Sequence, residues 1–190
     1  MITIVYAHPL EDSLTASVRR TIEDRCEKSG AEYRVIDLYK DGFDPVLNAQ
    51  EREGFFTGGT TQDSLVERYQ ELLRKTDRLV FVFPLWWNEQ PAIVKGFVER
   101  VCLPGFAYEY TQRGLAPLLT NVKQVDVFTS SNSPTMAVTK FSGNIIQKQF
   151  IKNIILPMTG LKSANWENIG LAGASEEKLS EHLEKIGEQF

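Results

Sequence analysis

The chain has 190 residues, 42% of them hydrophobic and 24% charged, with a formal charge of -4. That length suits a single domain, residues 1–190, able to bury roughly 70% of its unfolded surface. The mild acidity argues against a nucleic-acid binder, no run approaches the ~20 apolar residues of a membrane span, and only His8 and His182 are available to a histidine metal site, so no metal is expected.

Met1 to Tyr6 reads as a strand and not as a signal peptide, because Ile2, Ile4 and Val5 follow no positively charged segment. Leu14, Val18 and Ile22 then recur at helical spacing, with Arg19, Arg20, Glu23 and Asp24 on the solvent side, and Lys28-Ser29-Gly30 closes that helix. Tyr33, Val35 and Ile36 form a second strand that ends in Asp37-Leu38-Tyr39. Residues 40–61 read as irregular, with Asp41-Gly42, Asp44-Pro45 and Gly58-Gly59 as turn signals. A connection of this length in a compact domain is functional or a crossover.

Leu65, Tyr69, Leu72 and Leu73 predict the next helix, and Leu79 to Phe83 a strand buried on both faces. Ile93, Val94, Phe97, Val98 and Val101 predict a helix with Pro91 at its start. A fourth strand is expected over Gln124 to Phe128, a helix over Ile145 to Ile155 with Pro157 after it, a last strand over Leu161 to Ile169, and an amphipathic helix over Glu176 to Phe190. Cys26 and Cys102 lack metal or redox spacing and are expected as separate thiols in a reducing cytosol. The alternation predicts an α/β fold with five parallel strands and helices on both faces.

Polar loops follow strands one, three and four. In open α/β sheets, ligands bind outside the carboxyl ends of the strands, where strand order reverses. In the first loop, Ser13, Thr15 and Ser17 open a helix whose free amides attract phosphate without lysine or arginine, and His8 can add a donor or a charge. The same residues also read as an ordinary helix cap and a surface histidine. The loop is neither GxGxxG nor GxxxxGK[ST], which disfavours the usual dinucleotide and nucleoside triphosphate sites.

The second loop, Pro84-Leu85-Trp86-Trp87-Asn88, offers flat side chains and exposed backbone to a planar ring; core packing is the alternative for the indoles. Adjacent residues on a strand point to opposite sides, so at least one tryptophan is expected to face the ligand edge. The third loop, Thr129-Ser130-Ser131-Asn132-Ser133, can bond the polar end of a ring through hydroxyls and amides or form a plain turn. A ligand carrying a phosphate at one end and a ring system at the other satisfies all three loops, and a flavin nucleotide is such a ligand. Tyr108 and Tyr110 alternate on an extended stretch and so share a face, where they either wall a flat substrate or pack at an interface.

Several segments, in order and spacing over residues 1–133, resemble the flavodoxin-fold NAD(P)H:quinone oxidoreductases, the family of DT-diaphorase and its bacterial relatives. They are Ala7-His8-Pro9 with Ser13, Asp37-Leu38-Tyr39 with Phe43-Asp44-Pro45, Phe83 to Trp87 with Pro91 to Gly96, Glu99-Arg100-Val101 and Gly105 to Tyr108. The resemblance implies a flavodoxin-like fold, FMN or FAD as cofactor, NAD(P)H as hydride donor and a quinone-like acceptor served in two steps, in a cytoplasmic homodimer.

It further implies that His8, Ser13 and Thr15 contact the phosphate region. Pro84, Leu85, Trp86, Trp87 and Asn88 would line the ring, with Thr129, Ser130, Ser131 and Asn132 at its other side. Trp87 would also meet substrate, and Tyr108 and Tyr110 would approach from a second subunit. Met136 to Gly143 carries neither the tyrosine nor the histidine that some relatives place there, and Asn88-Glu89-Gln90 replaces a more usual aromatic-glycine sequence. No side chain is therefore assigned as catalytic. Some relatives are ancillary proteins of potassium efflux systems, which makes a non-catalytic regulatory subunit of an ion-transport protein the alternative.

Overall fold

The computed structural model describes residues 1–55 and 63–190. Strands β1 (Ile2–Tyr6), β2 (Tyr33–Asp37), β3 (Arg78–Pro84), β6 (Gln124–Ser131) and β7 (Asn165–Gly170) form one parallel sheet in the order β2-β1-β3-β6-β7. Two further strands, β4 (Tyr108–Thr111) and β5 (Gly114–Pro117), make a small antiparallel hairpin of their own. The expected five parallel strands are therefore present, and the hairpin is additional. Strand order reverses between β1 and β3, which puts the crevice of a doubly wound sheet at their carboxyl ends.

Strand alternation divides the core into two layers. Ile4, Tyr6, Val80, Val82 and Phe128 pack beneath α1 (Leu14–Ser29) and α6 (Glu176–Gly187). Val5, Ala7, Leu79, Phe81 and Phe83 face α3 (Ser64–Arg74), α4 (Ala92–Val101) and a π-helix, Ile146–Ile155. Because both faces are covered, the central strands are almost wholly apolar.

Helix α1 ends as its sequence predicts, with Gly30 left-handed at φ 72° and its amide bonded to the last carbonyls. The stretch expected to be irregular contains a short helix, α2 (Ala49–Gly54), closed by a capping box between Asn48 and Glu51; Gly58-Gly59 lies outside the described residues. The helix expected over 145–155 is wound as a π-helix and runs directly into α5 (Leu156–Thr159), so Pro157 sits in the first turn of α5 and not beyond the helical run. The last strand begins at Asn165, after left-handed Gly160 has ended α5. Cys26 and Cys102 are separate buried thiols.

Gly96 shows how closely α4 approaches the turn after β2. A Cβ there would lie 2.3 Å from the Pro45 carbonyl oxygen and 2.5 Å from the Pro45 Cα. Gly96→Ala must push backbone from backbone, at an expected cost of about 1–3 kcal/mol or more. Urea unfolding should show a lower midpoint at unchanged slope. A midpoint equal to that of the parent would refute the close approach.

Candidate functional site

The site begins where β1 runs out. Ser13 caps α1: its Oγ accepts from the Ala16 amide (3.1 Å) and donates to the Leu10 carbonyl (2.9 Å). The amides of Leu14 and Thr15, in the first helical turn, have no acceptor among the described residues. His8 Nδ1 lies 3.0 Å from the Leu10 amide nitrogen and 3.2 Å from the Leu10 carbonyl oxygen, which ties that side of the ring to the turn. This end thus offers two amides and an imidazole ring beside the positive end of a helix.

Two bonds bring the distant segments together. Thr15 Oγ1 and Ser130 Oγ, 115 positions apart, lie 2.7 Å from each other. The Leu85 amide donates to the Ser130 carbonyl at 2.7 Å. The His8 and Trp86 rings meet edge to face at 6.0 Å, which closes the triangle. A cavity of about 220 Å³ lies between the three, lined by His8, Ser13, Thr15, Trp86, Ser131 and Asn132 among others. A second of about 340 Å³ shares Leu85, Trp86, Ser131 and Asn132 and continues to Trp87, Asn88 and Ser133. The two abut, and each is near the small end of the range of ligand pockets.

Both tryptophans leave the core, for a reason different from strand alternation. Trp86 and Glu89 exchange amide-to-carbonyl bonds of 3.1 and 3.2 Å around Trp87 and Asn88, whose φ angles are 56° and 64°. Two successive positive φ values between paired residues make a type I′ turn, a conformation costly for tryptophan and usually given to Asn-Gly. The turn carries Trp87 outward, 97% exposed, while Trp86 at 42% walls the cavity.

The third segment differs from its expected form. Strand β6 continues through Ser131, because β3 and β7 flank it to the end: Ser130 pairs with Pro84, and Ser131 with Gly170. Thr129 is therefore an interior strand residue, donating to Asn168 Oδ1 (2.9 Å) and accepting from Trp166 Nε1 (3.0 Å). It is absent from the lining of either cavity. The hydroxyls of Ser130 and Ser131 are engaged within the protein, the latter donating to the Ser133 carbonyl at 2.7 Å. What this loop presents is backbone: the Asn132 and Ser133 amides have no acceptor among the described residues.

Tyr108 and Tyr110 do share a face of the β4–β5 hairpin, with ring centroids 5.5 Å apart. Neither lines the rim cavities. Tyr108 instead lines a separate cavity of about 230 Å³ with Val98, Cys102 and Met158. Burial raises the Tyr108 phenol and pushes the Cys102 thiol up to about 12, so neither is ready to ionise near neutrality. Sequence reasoning passed over Leu14 and Leu171 in the rim. Leu171 follows β7 directly, and extending the strand-end rule to the fifth strand would have found it.

The donor set fits a flavin nucleotide. Neutral amides at a helix N-terminus suit its phosphate, an indole wall suits its ring, and free loop amides suit its carbonyl edge. Among the described residues no helix is long and apolar enough to cross a membrane.

Comparison with known proteins agrees with the architecture. An uncharacterized NAD(P)H oxidoreductase, YcaK, of Escherichia coli (strain K12) is 36% identical over 107 residues, covering 56% of this chain and 55% of that protein. The chain thus spans about half the length of that relative. An uncharacterized NAD(P)H oxidoreductase of Haemophilus influenzae is 26% identical over 187 residues, covering 98% of this chain and 91% of its own length. In structure, the NAD(P)H:quinone oxidoreductase of Methanothermobacter marburgensis superposes with a TM-score of 0.85 at 23% identity, over 98% of this chain and 95% of that one. A family model described as flavodoxin-like fold matches residues 1–190, and with the β2-β1-β3-β6-β7 order this shows that the chain belongs to the flavodoxin-like fold family.

Proposed function

We propose that this chain is a flavin-dependent NAD(P)H dehydrogenase whose acceptor is a quinone or a similarly flat molecule. The observation that carries the reading is the meeting of three loops at the sheet's switch point, joined by the Thr15–Ser130 and Leu85–Ser130 bonds. The names of the two bacterial relatives support nicotinamide use, and that of the archaeal protein supports a quinone. The reading treats residues 1–190 as one cytoplasmic domain that works as a homodimer.

When bound, a flavin supplies two-electron hydride chemistry between the nicotinamide and the acceptor. The chain supplies position and polarity. The Leu14 and Thr15 amides and the His8 ring would hold the phosphate, while Ser13 and Thr15 keep that turn in place. Pro84, Leu85 and Trp86 would form the dry wall against the ring, and the Asn132 and Ser133 amides would donate to its polar edge. Such preorganised donors favour negative charge where it develops, which is how a site can act without a catalytic side chain. Trp87, presented to solvent, offers a stacking surface to an incoming flat molecule, and Tyr108 and Tyr110 complete that slot across the dimer.

The test is direct. Protein purified with added FMN or FAD should hold a yellow chromophore, identified by mass after release, and should oxidise NADH or NADPH with menadione as acceptor. Flavin retention without turnover would point instead to the regulatory subunit. Neither retention nor turnover would sink the reading.

A further inference from the structure

Asn168 lies in β7, outside both rim cavities, yet every polar position of its side chain is aimed at the third loop or its root. Its Oδ1 accepts from Thr129 Oγ1 at 2.9 Å. Its Nδ2 donates to Ser131 Oγ and to Thr135 Oγ1, both at 3.0 Å. The Thr135 hydroxyl in turn donates to the Asn168 backbone carbonyl at 2.8 Å. The side chain is 6% exposed, so these bonds do not compete with water.

The direction of the bonds matters. Because Asn168 donates to Ser131, the Ser131 hydroxyl hydrogen is free to reach the Ser133 carbonyl at 2.7 Å. That bond folds the loop back across Asn132 and Ser133. On the far side the loop carbonyls are also held: Ser131 accepts from the Leu171 amide (2.8 Å) and Asn132 from the Ala172 amide (3.1 Å). With its carbonyls engaged on this side, the loop leaves the Asn132 and Ser133 amides as its unspent donors. Gly170 completes the arrangement, since a Cβ there would stand 2.7 Å from both the Ser133 carbonyl oxygen and the Thr135 amide. Nothing larger lets the loop lie against β7.

We propose that Asn168 is a positioning residue for cofactor binding, which acts through Ser131 and Thr135 to aim the Asn132 and Ser133 amides into the rim cavity. The inference rests on the proposed flavin function. Asn168→Asp keeps the shape but replaces the amide donors by acceptors. Ser131 then turns its hydroxyl toward residue 168 and releases the Ser133 carbonyl. Thr135→Val removes the second anchor from a half-buried position and guards against a misfolded aspartate variant. Trp166→Phe is the control, because it breaks the Trp166–Thr129 bond on the side of the network away from the loop.

Hydrogen exchange read by mass spectrometry, on protein without added flavin, should quicken at least tenfold in Asn168→Asp and Thr135→Val at the Leu171 and Ala172 amides, which donate to the Ser131 and Asn132 carbonyls of the loop. It should stay at the parental rate there in Trp166→Phe. FMN titration should show at least a tenfold weaker dissociation constant in the first two variants, and the midpoint potential of the bound flavin should shift in them alone. Unchanged exchange at those amides in both variants, or an equal change in Trp166→Phe, would overturn the assignment. If the parent fails to bind FMN while the exchange behaves as stated, the positioning holds and the flavin reading falls. If the parent binds FMN and both variants match it, the reading stands and the role of Asn168 is refuted.

Discussion

Arg100→Met should lower the unfolding free energy by about 3–5 kcal/mol, the usual cost of leaving a buried carboxylate without its partner. Arg100 is 4% exposed in the middle of α4's last turns. Its Nη2 donates to Glu51 Oε1 at 2.5 Å and to Asp63 Oδ2 at 2.8 Å, its Nε to both Glu51 oxygens at 3.0 Å, and its Nη1 to the Asp44 carbonyl at 2.5 Å. One guanidinium thus fastens α2, the N-cap of α3 and the turn after β2 to α4. Removing it strands Glu51, itself 8% exposed. For a chain of this size the loss corresponds to a melting temperature lower by on the order of 10 °C. Adding Glu51→Gln, which keeps the capping box of α2, should recover a large part of the loss. A double variant as unstable as Arg100→Met alone would contradict this account.

The same cluster sets part of the acid response. Burial alone would raise the Asp63 carboxyl, but the Leu65 amide and the Arg100 guanidinium outweigh it and hold the group below the usual carboxylate range. A lowered folded-state value means a stabilising contribution present above the unfolded value of ~3.9, and lost as pH falls through the folded one. Asp63→Asn, which preserves an N-cap, should therefore lower stability near neutrality and flatten the acid limb below about pH 4, the two profiles converging at low pH. An unchanged acid limb would remove Asp63 from the account.

Ser13→Asp should weaken flavin binding by on the order of 100-fold or more, with a stability loss of about 0.5–1.5 kcal/mol from the bond to the Leu10 carbonyl that a carboxylate cannot donate. Aspartate caps a helix as well as serine does, so the bond to the Ala16 amide survives. The larger cost falls on the ligand. A carboxylate beside the Leu14 and Thr15 amides competes for them and repels a phosphate by about 4 kcal/mol at 4 Å and an effective dielectric of 20. Because the interaction is between like charges, the penalty should shrink in high salt. Flavin fluorescence titration at two ionic strengths reads both quantities. Affinity equal to that of the parent would remove the helix N-terminus from the phosphate site.

Local signals in the chain decided the β-α alternation, the five parallel strands and the edge on which polar loops would gather. Buried parallel strands must be apolar on both faces, and Gly30 or the Ser13 cap mark helix ends through conformations that few other residues adopt as cheaply. The three loops were therefore legible as candidates from residues such as Thr15, Trp86 and Ser130. Which atoms face the cavity was not, because that depends on partners far away in sequence. Thr129 reads as loop until β7 is known to flank it, and Trp87 reads as strand until the Trp86–Glu89 bonds close a turn. The third loop's hydroxyls looked like ligand donors, yet Asn168, Ser133 and Thr15 engage them and leave backbone amides for the task. Hydrophobic patterning is a local property and survives in one dimension; the allocation of hydrogen bonds is not, since each donor's partner is set only when strands distant along the chain are laid side by side.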